Sequence, residues 1–233
     1  MRISGARLAG AVGVLIPPAA AAVVLIGGWS TPGYDPLART ISRLAAPGLA
    51  AALAVEVAMG GVGAALIVVA LGLGPGARGG RALLVIAGAG LLLASAIRLD
   101  PASAAATAQH RVATTVALFA LTGAPLAFAS ALRRRNGWLG YARLSFVFGA
   151  AEVAMLLVGL ALLPTSFAGW GGWERGFLAL PMAWMVLLSW RLLRARKIDP
   201  MFSSTAERTS WASRVSVDDT MKAAAANQSS GGL

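Results

Sequence analysis

Six runs of roughly twenty apolar residues, separated by short polar or glycine-rich connections, dominate this chain and dictate what it can become. A helix needs about 20 mainly apolar residues to cross the hydrocarbon core of a bilayer. The runs are Leu8–Gly28, Gly48–Leu73, Ala82–Ile97, Val112–Leu132, Leu144–Leu163 and Gly176–Leu193. Of the 233 residues, 58% are hydrophobic and only 12% charged, where a soluble domain carries about 25% charged residues. The expected fold is all-α: a polytopic transmembrane bundle of about six helices. It forms one unit over residues 1–197, followed by a Ser-, Thr- and Ala-rich disordered tail over 198–233. The first run follows Arg2 and Arg7 as a leader would. It stays apolar through Ala19–Ile26, beyond the Pro17-Pro18 interruption, and so reads as a retained helix, kinked or broken at the prolines.

Arginines beside the runs set the expected orientation, because cytoplasmic flanks collect positive charge. Arg2, Arg7, Arg78, Arg81, Arg133, Arg134, Arg135, Arg143, Arg191, Arg194, Arg196 and Lys197 fall on one side, against Arg39, Arg43, Arg98, Arg111 and Arg175 on the other. The first side is expected in the cytoplasm, with both termini, in the plasma (inner) membrane of a bacterium. The predominance of arginine over lysine and the Ala, Gly and Val content fit a GC-rich bacterial genome.

The net charge of +11 does not indicate nucleic acid. The charges cluster at the ends of apolar runs, facing lipid headgroups, and no basic stripe interleaved with aromatics is present. Membrane lipids are the expected partners, with another membrane protein or a second copy as the other class. Cysteine is absent and histidine occurs once, at His110. Thiolate chemistry and multi-histidine metal sites are thereby excluded, and no cofactor is expected. Gly72–Gly80 follows an apolar helix and lacks the Gly-Lys-Ser/Thr ending of a phosphate loop. Gly60, Gly61, Gly63, Gly88, Gly90, Gly149 and Gly159 lie within runs, where small residues let helix backbones approach closely.

Chemistry concentrates on the predicted outer side, where each loop offers both a carboxylate and an arginine. Tyr34, Asp35, Arg39, Arg43, Arg98, Glu174 and Arg175 form the expected ligand-binding set. The arginines suit a phosphate or carboxylate, and the acids suit hydroxyls. Asp35 is placed to cap a short amphipathic helix starting at Pro36. On it Leu37, Ile41 and Leu44 share one face, while Arg39, Ser42 and Arg43 project to another.

The segment Gly33-Tyr34-Asp35-Pro36 through Thr40-Ile41-Ser42-Arg43-Leu44 resembles the opening of a bacterial and archaeal membrane family, domain of unknown function 998 (DUF998). An aspartate after the third helix and a histidine entering the fourth, also typical of that family, match Asp100 and His110. The resemblance spans roughly residues 8–195 and implies a multi-helix membrane protein without an agreed activity. The family often carries an acidic residue where this chain has Arg43.

Ser42, Asp100 and His110 supply the residue types of a hydroxyl nucleophile, an orienting carboxylate and an imidazole base. An unbroken helix from Asp100 to His110 would hold those two about 15 Å apart, and no nucleophile elbow surrounds Ser42. Glu56 and Glu152 lie inside apolar runs, where a carboxylate calls for a partner. No basic residue within a run answers either one. The expected function is a membrane protein with a polar outer site for a lipid headgroup or envelope precursor. Its alternatives are a hydrolase or transferase using Ser42, His110 and Asp100, and a small transporter or structural partner.

Overall fold

Inside a bilayer each backbone N–H and C=O must be satisfied within the chain, and a helix achieves this residue by residue. The computed structural model describes residues 5–100, 102–134 and 137–194, and all regular structure among them is helical. Six long helices carry the apolar runs: α1 (Gly5–Ser30), α3 (Ala52–Gly72), α4 (Arg78–Ala96), α5 (Ala104–Leu132), α6 (Leu139–Leu162) and α7 (Trp170–Arg194). A short helix, α2 (Ile41–Leu44), lies in the α1–α3 connection, and a 3-10 turn, Pro75–Ala77, precedes α4. All six long helices have the length and composition to cross a membrane. The tail expected over 198–233, with Arg2, Arg135, Arg196 and Lys197, lies outside the described residues.

α1 runs without a break through Pro17 and Pro18, so of the expected kink or break the break does not occur. α5 begins at Ala104, eight residues before the expected start, and places His110 on the helix. Its 29 residues make a helix of about 43 Å, longer than the ~30 Å hydrocarbon core. Its polar first turns therefore have room to stand beyond the apolar slab.

The helices pack as a closed ring in the order α1, α3, α4, α5, α6, α7 and back to α1. Successive long helices are antiparallel, so one end of the bundle carries α2, the α4–α5 connection and the start of α7. The opposite end carries the start of α1 and the end of α7. The main core comprises Leu66, Leu84, Leu121, Phe128, Trp184 and Met185 with their neighbours. A smaller cluster of Tyr34, Ile41, Leu44, Ala45 and Val55 lies beneath the α2 loop. Large apolar side chains such as Leu15, Val57, Phe119, Phe146 and Leu157 remain exposed on the periphery. A soluble protein would bury them, whereas acyl chains cover them here.

Glycine lets the backbones of α3 and α4 approach closely. A Cβ built at Gly63 of α3 would stand 2.7 Å from the Gly88 carbonyl oxygen of α4, and one at Gly88 2.5 Å from that of Gly63. The two backbones touch, and no side chain fits between them. At the far end the Arg191 guanidinium lies 4.0 Å from the Trp138 ring centroid and 4.7 Å from that of Tyr141, closing α7 on the start of α6. Gly63→Val is expected to destabilise the bundle by about 1–3 kcal/mol through overpacking, read as a lower unfolding midpoint in mild detergent. Gly79→Ala, which meets no atom within 4 Å, serves as the neutral control.

Candidate functional site

The α2 end is assembled around two sets of backbone carbonyls that need donors. The first set belongs to the α1–α3 connection. Asp35 closes its opening turn, its Oδ1 accepting from the amides of Leu37 (2.8 Å) and Ala38 (3.3 Å). Arg39, Thr40 and Pro36 then present carbonyls toward the start of α7. Arg175 answers them: Nη1 donates to Pro36 O (2.6 Å), Arg39 O (3.1 Å) and Gly171 O (3.0 Å), and Nη2 to the Tyr34 hydroxyl (2.9 Å). The Tyr34 hydroxyl in turn points between Arg39 O (2.9 Å) and Thr40 O (2.8 Å).

α7 contributes from its own first turn as well. Helix N-termini leave amides unpaired, and that of Gly172 donates to Leu37 O at 2.8 Å. Glu174 Oε2 accepts from the Ile41 amide at 2.5 Å. Gly171 is required here, since a Cβ would collide with the carbonyl oxygens of Arg39 and Pro36. Burial pushes the Tyr34 hydroxyl above the ordinary tyrosine value of 10.0, against the opposing pull of Arg175. The fold holds that phenol neutral, so the stability it lends is present at neutral pH and is lost as pH rises beyond the usual tyrosine range.

The second set ends α4. The last carbonyls of a helix lack intrahelical donors, and those of Ala94 and Ile97 converge on His110 Nδ1 at 3.0 and 2.8 Å. Both partners are acceptors, so Nδ1 carries the hydrogen. In the neutral ring Nε2 is then the acceptor, and the Ser42 hydroxyl donates to it across 3.1 Å. Ser42 (9% exposed) and His110 (3%) are both buried. Glu174, fastened to the amide of the preceding residue Ile41, fixes the start of α2 and with it the position of Ser42.

The expected trio does not assemble. Asp100 turns away from His110: its Oδ1 accepts from the Ala102 amide (2.8 Å) and its carbonyl from the Thr107 hydroxyl (2.7 Å). The cap of α5 is Ser103, whose Oγ accepts from the Ala106 amide at 3.2 Å. The short helix expected from Pro36 is also corrected. A turn occupies 36–39 and only Ile41–Leu44 is helical. Leu37 is 68% exposed, and Ser42 lies with Ile41 and Leu44 on the buried side.

Of the intramembrane acids, Glu56 has the partner the sequence did not reveal. Arg98, just past the end of α4, reaches its carboxylate with Nε (2.6 Å) and Nη2 (2.9 Å). Antiparallel α3 and α4 put the fifth residue of one helix level with the exit of the other. Glu152 stands elsewhere, inside α6. Among the described residues no group of three or more acidic or histidine side chains could hold a metal ion.

Three guanidiniums at this end remain unengaged. Arg39, Arg43 and Arg111 are exposed, and among the described residues their side chains make no hydrogen bond or ion pair. Arg43 follows Ser42 and Arg111 follows His110 in the chain, so two of the three guanidiniums are carried on the same helices as the buried pair. Arg111 stands outside the expected binding set, and its adjacency to His110 was the available signal.

The family model described as "Protein of unknown function (DUF998)" matches residues 14–191. The chain belongs to the DUF998 family. No curated protein and no solved structure matches it. This DUF998 protein is a multi-pass membrane protein by its six apolar helices. Within it, Asp35, Tyr34, Glu174 and Arg175 hold the loop, Arg98 and Glu56 pair with each other, and Asp100 shapes a turn.

Arg175→Ala would remove four hydrogen bonds, those to the carbonyls of Pro36, Arg39 and Gly171 and to the Tyr34 hydroxyl. Losing charge-assisted bonds of about 1.5–3 kcal/mol each should open the 31–51 loop locally. Trypsin cleavage after Arg39 and Arg43 is expected to quicken about tenfold or more in the detergent-solubilised protein. An unchanged cleavage rate would show that the loop is held by other means.

Proposed function

We propose that this DUF998 protein lies in the plasma (inner) membrane of a bacterium with its α2 end outside the cytoplasm, where it binds the anionic headgroup of a lipid or lipid-linked envelope precursor. The arginines at the opposite end support that orientation: Arg7, Arg78, Arg81, Arg133, Arg134, Arg143, Arg191 and Arg194. The observation that carries the binding reading is that Arg39, Arg43 and Arg111 are exposed at the end of the bundle that holds the buried Ser42–His110 pair, with no side-chain hydrogen bond or ion pair among the described residues. Arg98 and Arg175 are committed to internal bonds and are not part of the binding set. A phosphate arriving from the plane of the membrane would meet two or three forked donors at once.

Each cation near a membrane surface contributes about 1 kcal/mol toward anionic lipid. Replacing Arg39, Arg43 and Arg111 together by Gln should therefore lower retention of anionic lipid by about two orders of magnitude. Native mass spectrometry of the protein released from mixed zwitterionic and anionic bilayers reads this directly. Retention equal to wild type would remove the headgroup reading.

A second reading rests on a specific observation, the 3.1 Å Ser42–His110 bond with the ring tautomer fixed from behind by two carbonyls. That arrangement suits a hydroxyl nucleophile whose proton passes to Nε2 as Oγ attacks an ester carbon or phosphorus, and is then returned to the departing alcohol. Backbone carbonyls stand where a carboxylate commonly orients the ring. A fluorophosphonate probe should then label Ser42 in wild type and lose at least about 100-fold in rate in His110→Gln. No labelling of the folded wild-type protein would leave Ser42 and His110 as the floor of a binding site.

A further inference from the structure

Glu152 has no role in the α2 end, and among the described residues it has no ion pair and no hydrogen bond. Its side chain is 0% exposed, and neither carboxyl oxygen has a hydrogen-bond partner among the described residues. α6 spans Leu139–Leu162, which places Glu152 about 20 Å from one end and 15 Å from the other. Buried polar groups without partners are rare enough in native proteins to require an explanation, and ionisable groups at this depth usually carry function.

Register identifies what lies opposite. Trp184 Nε1 of α7 donates to Ser145 Oγ of α6 at 3.0 Å, and Trp173 Nε1 to Met155 O at 3.2 Å. Between those two bonds Glu152 falls level with Phe177–Pro181. On the α5 side Gly149 abuts Leu126, so Glu152, one turn farther along α6, falls level with Leu121 and Thr122. Both neighbouring helices carry a buried internal proline there, Pro125 in α5 and Pro181 in α7. Proline has no N–H, so the carbonyls of Leu121 and Phe177 lose their i+4 donors. Thr122 spends its hydrogen on Leu118 O at 2.9 Å, which leaves its oxygen as an acceptor.

The groups that the register brings level with Glu152, the carbonyls of Leu121 and Phe177 and the Thr122 oxygen, are acceptors. A carboxylate adds one more acceptor to that level, whereas a carboxylic acid supplies a hydrogen. Charged groups on the packed elements lie toward the ends: His110 and Arg111 of α5, Tyr141 and Arg143 of α6, and Glu174, Arg175, Arg191 and Arg194 of α7. A metal cation would need a shell of several oxygens including further carboxylates, and among the described residues no such acidic group exists.

We propose that Glu152 is a mid-membrane proton site, carrying one exchangeable proton that it donates toward the proline-freed carbonyls of α5 and α7. Because the carboxyl is sealed, the proton leaves only when α6 draws away from those helices. Protonation and the packing of α6 are thereby one equilibrium, which is the element a proton-driven conformational cycle requires.

Infrared difference spectroscopy of the full-length protein in liposomes tests this, with Glu152→Gln as the uncharged isostere. Wild type minus variant should show the carbonyl stretch of one protonated carboxyl that shifts in D2O and disappears reversibly as pH is raised. Three results would overturn the proposal. They are a carboxylate band at every pH at which the protein is folded, an acid band that neither exchanges in D2O nor titrates, and an acid band displaced by NaCl, which would make the site one for sodium. If Glu152→Gln does not fold, Glu152→Asp under the same pH series must show the titrating band at a shifted frequency.

Discussion

The α1–α3 connection must run close to the apolar slab without leaving its carbonyls bare, and a single guanidinium resolves most of that requirement. Unpaired carbonyls next to hydrocarbon cost several kcal/mol each. Arg175 meets those of Pro36, Arg39 and Gly171 and also bonds Tyr34. Lysine has three donors on a single nitrogen and could not span these acceptors in the same geometry. With the loop so fastened and Glu174 on the Ile41 amide, the start of α2 is fixed and Ser42 is delivered to His110.

The same economy governs the α4–α5 corner. A helix end creates orphan carbonyls, and the following helix supplies the donor from His110. That need selects the ring tautomer, which in turn turns Nε2 toward Ser42. A structural requirement and the polarity a proton acceptor would need are met by one residue. Arg98 leaves the corner for Glu56, so the charge at the entrance of α3 is neutralised at short range.

The six crossings were legible in the sequence because apolar length is a property of each segment alone. The start of α5 was not, since Thr107, Gln109, His110 and Arg111 look like a loop to hydropathy although their backbone is helical. Ser103 ahead of three alanines was the available cap signal. The meeting of Ser42 with His110 and of Glu56 with Arg98 depends on which helices neighbour one another, information held in no single segment. The internal bonds of Arg98 and Arg175 were hidden for a different reason: residue type announces a charge but not whether the fold consumes it. Glu152 was visible from the start as an acid without a basic partner, and the structure adds the two proline-bearing neighbours.

Because the chain contains one histidine, 15N-histidine labelling reports a single imidazole. Solid-state NMR of the reconstituted protein near neutral pH should show Nδ1 protonated and Nε2 unprotonated, with the Nε2 resonance moving on Ser42→Ala while Nδ1 stays in place. An Nε2-protonated ring, or an Nε2 signal indifferent to Ser42→Ala, would contradict the arrangement on which the α2 end is built.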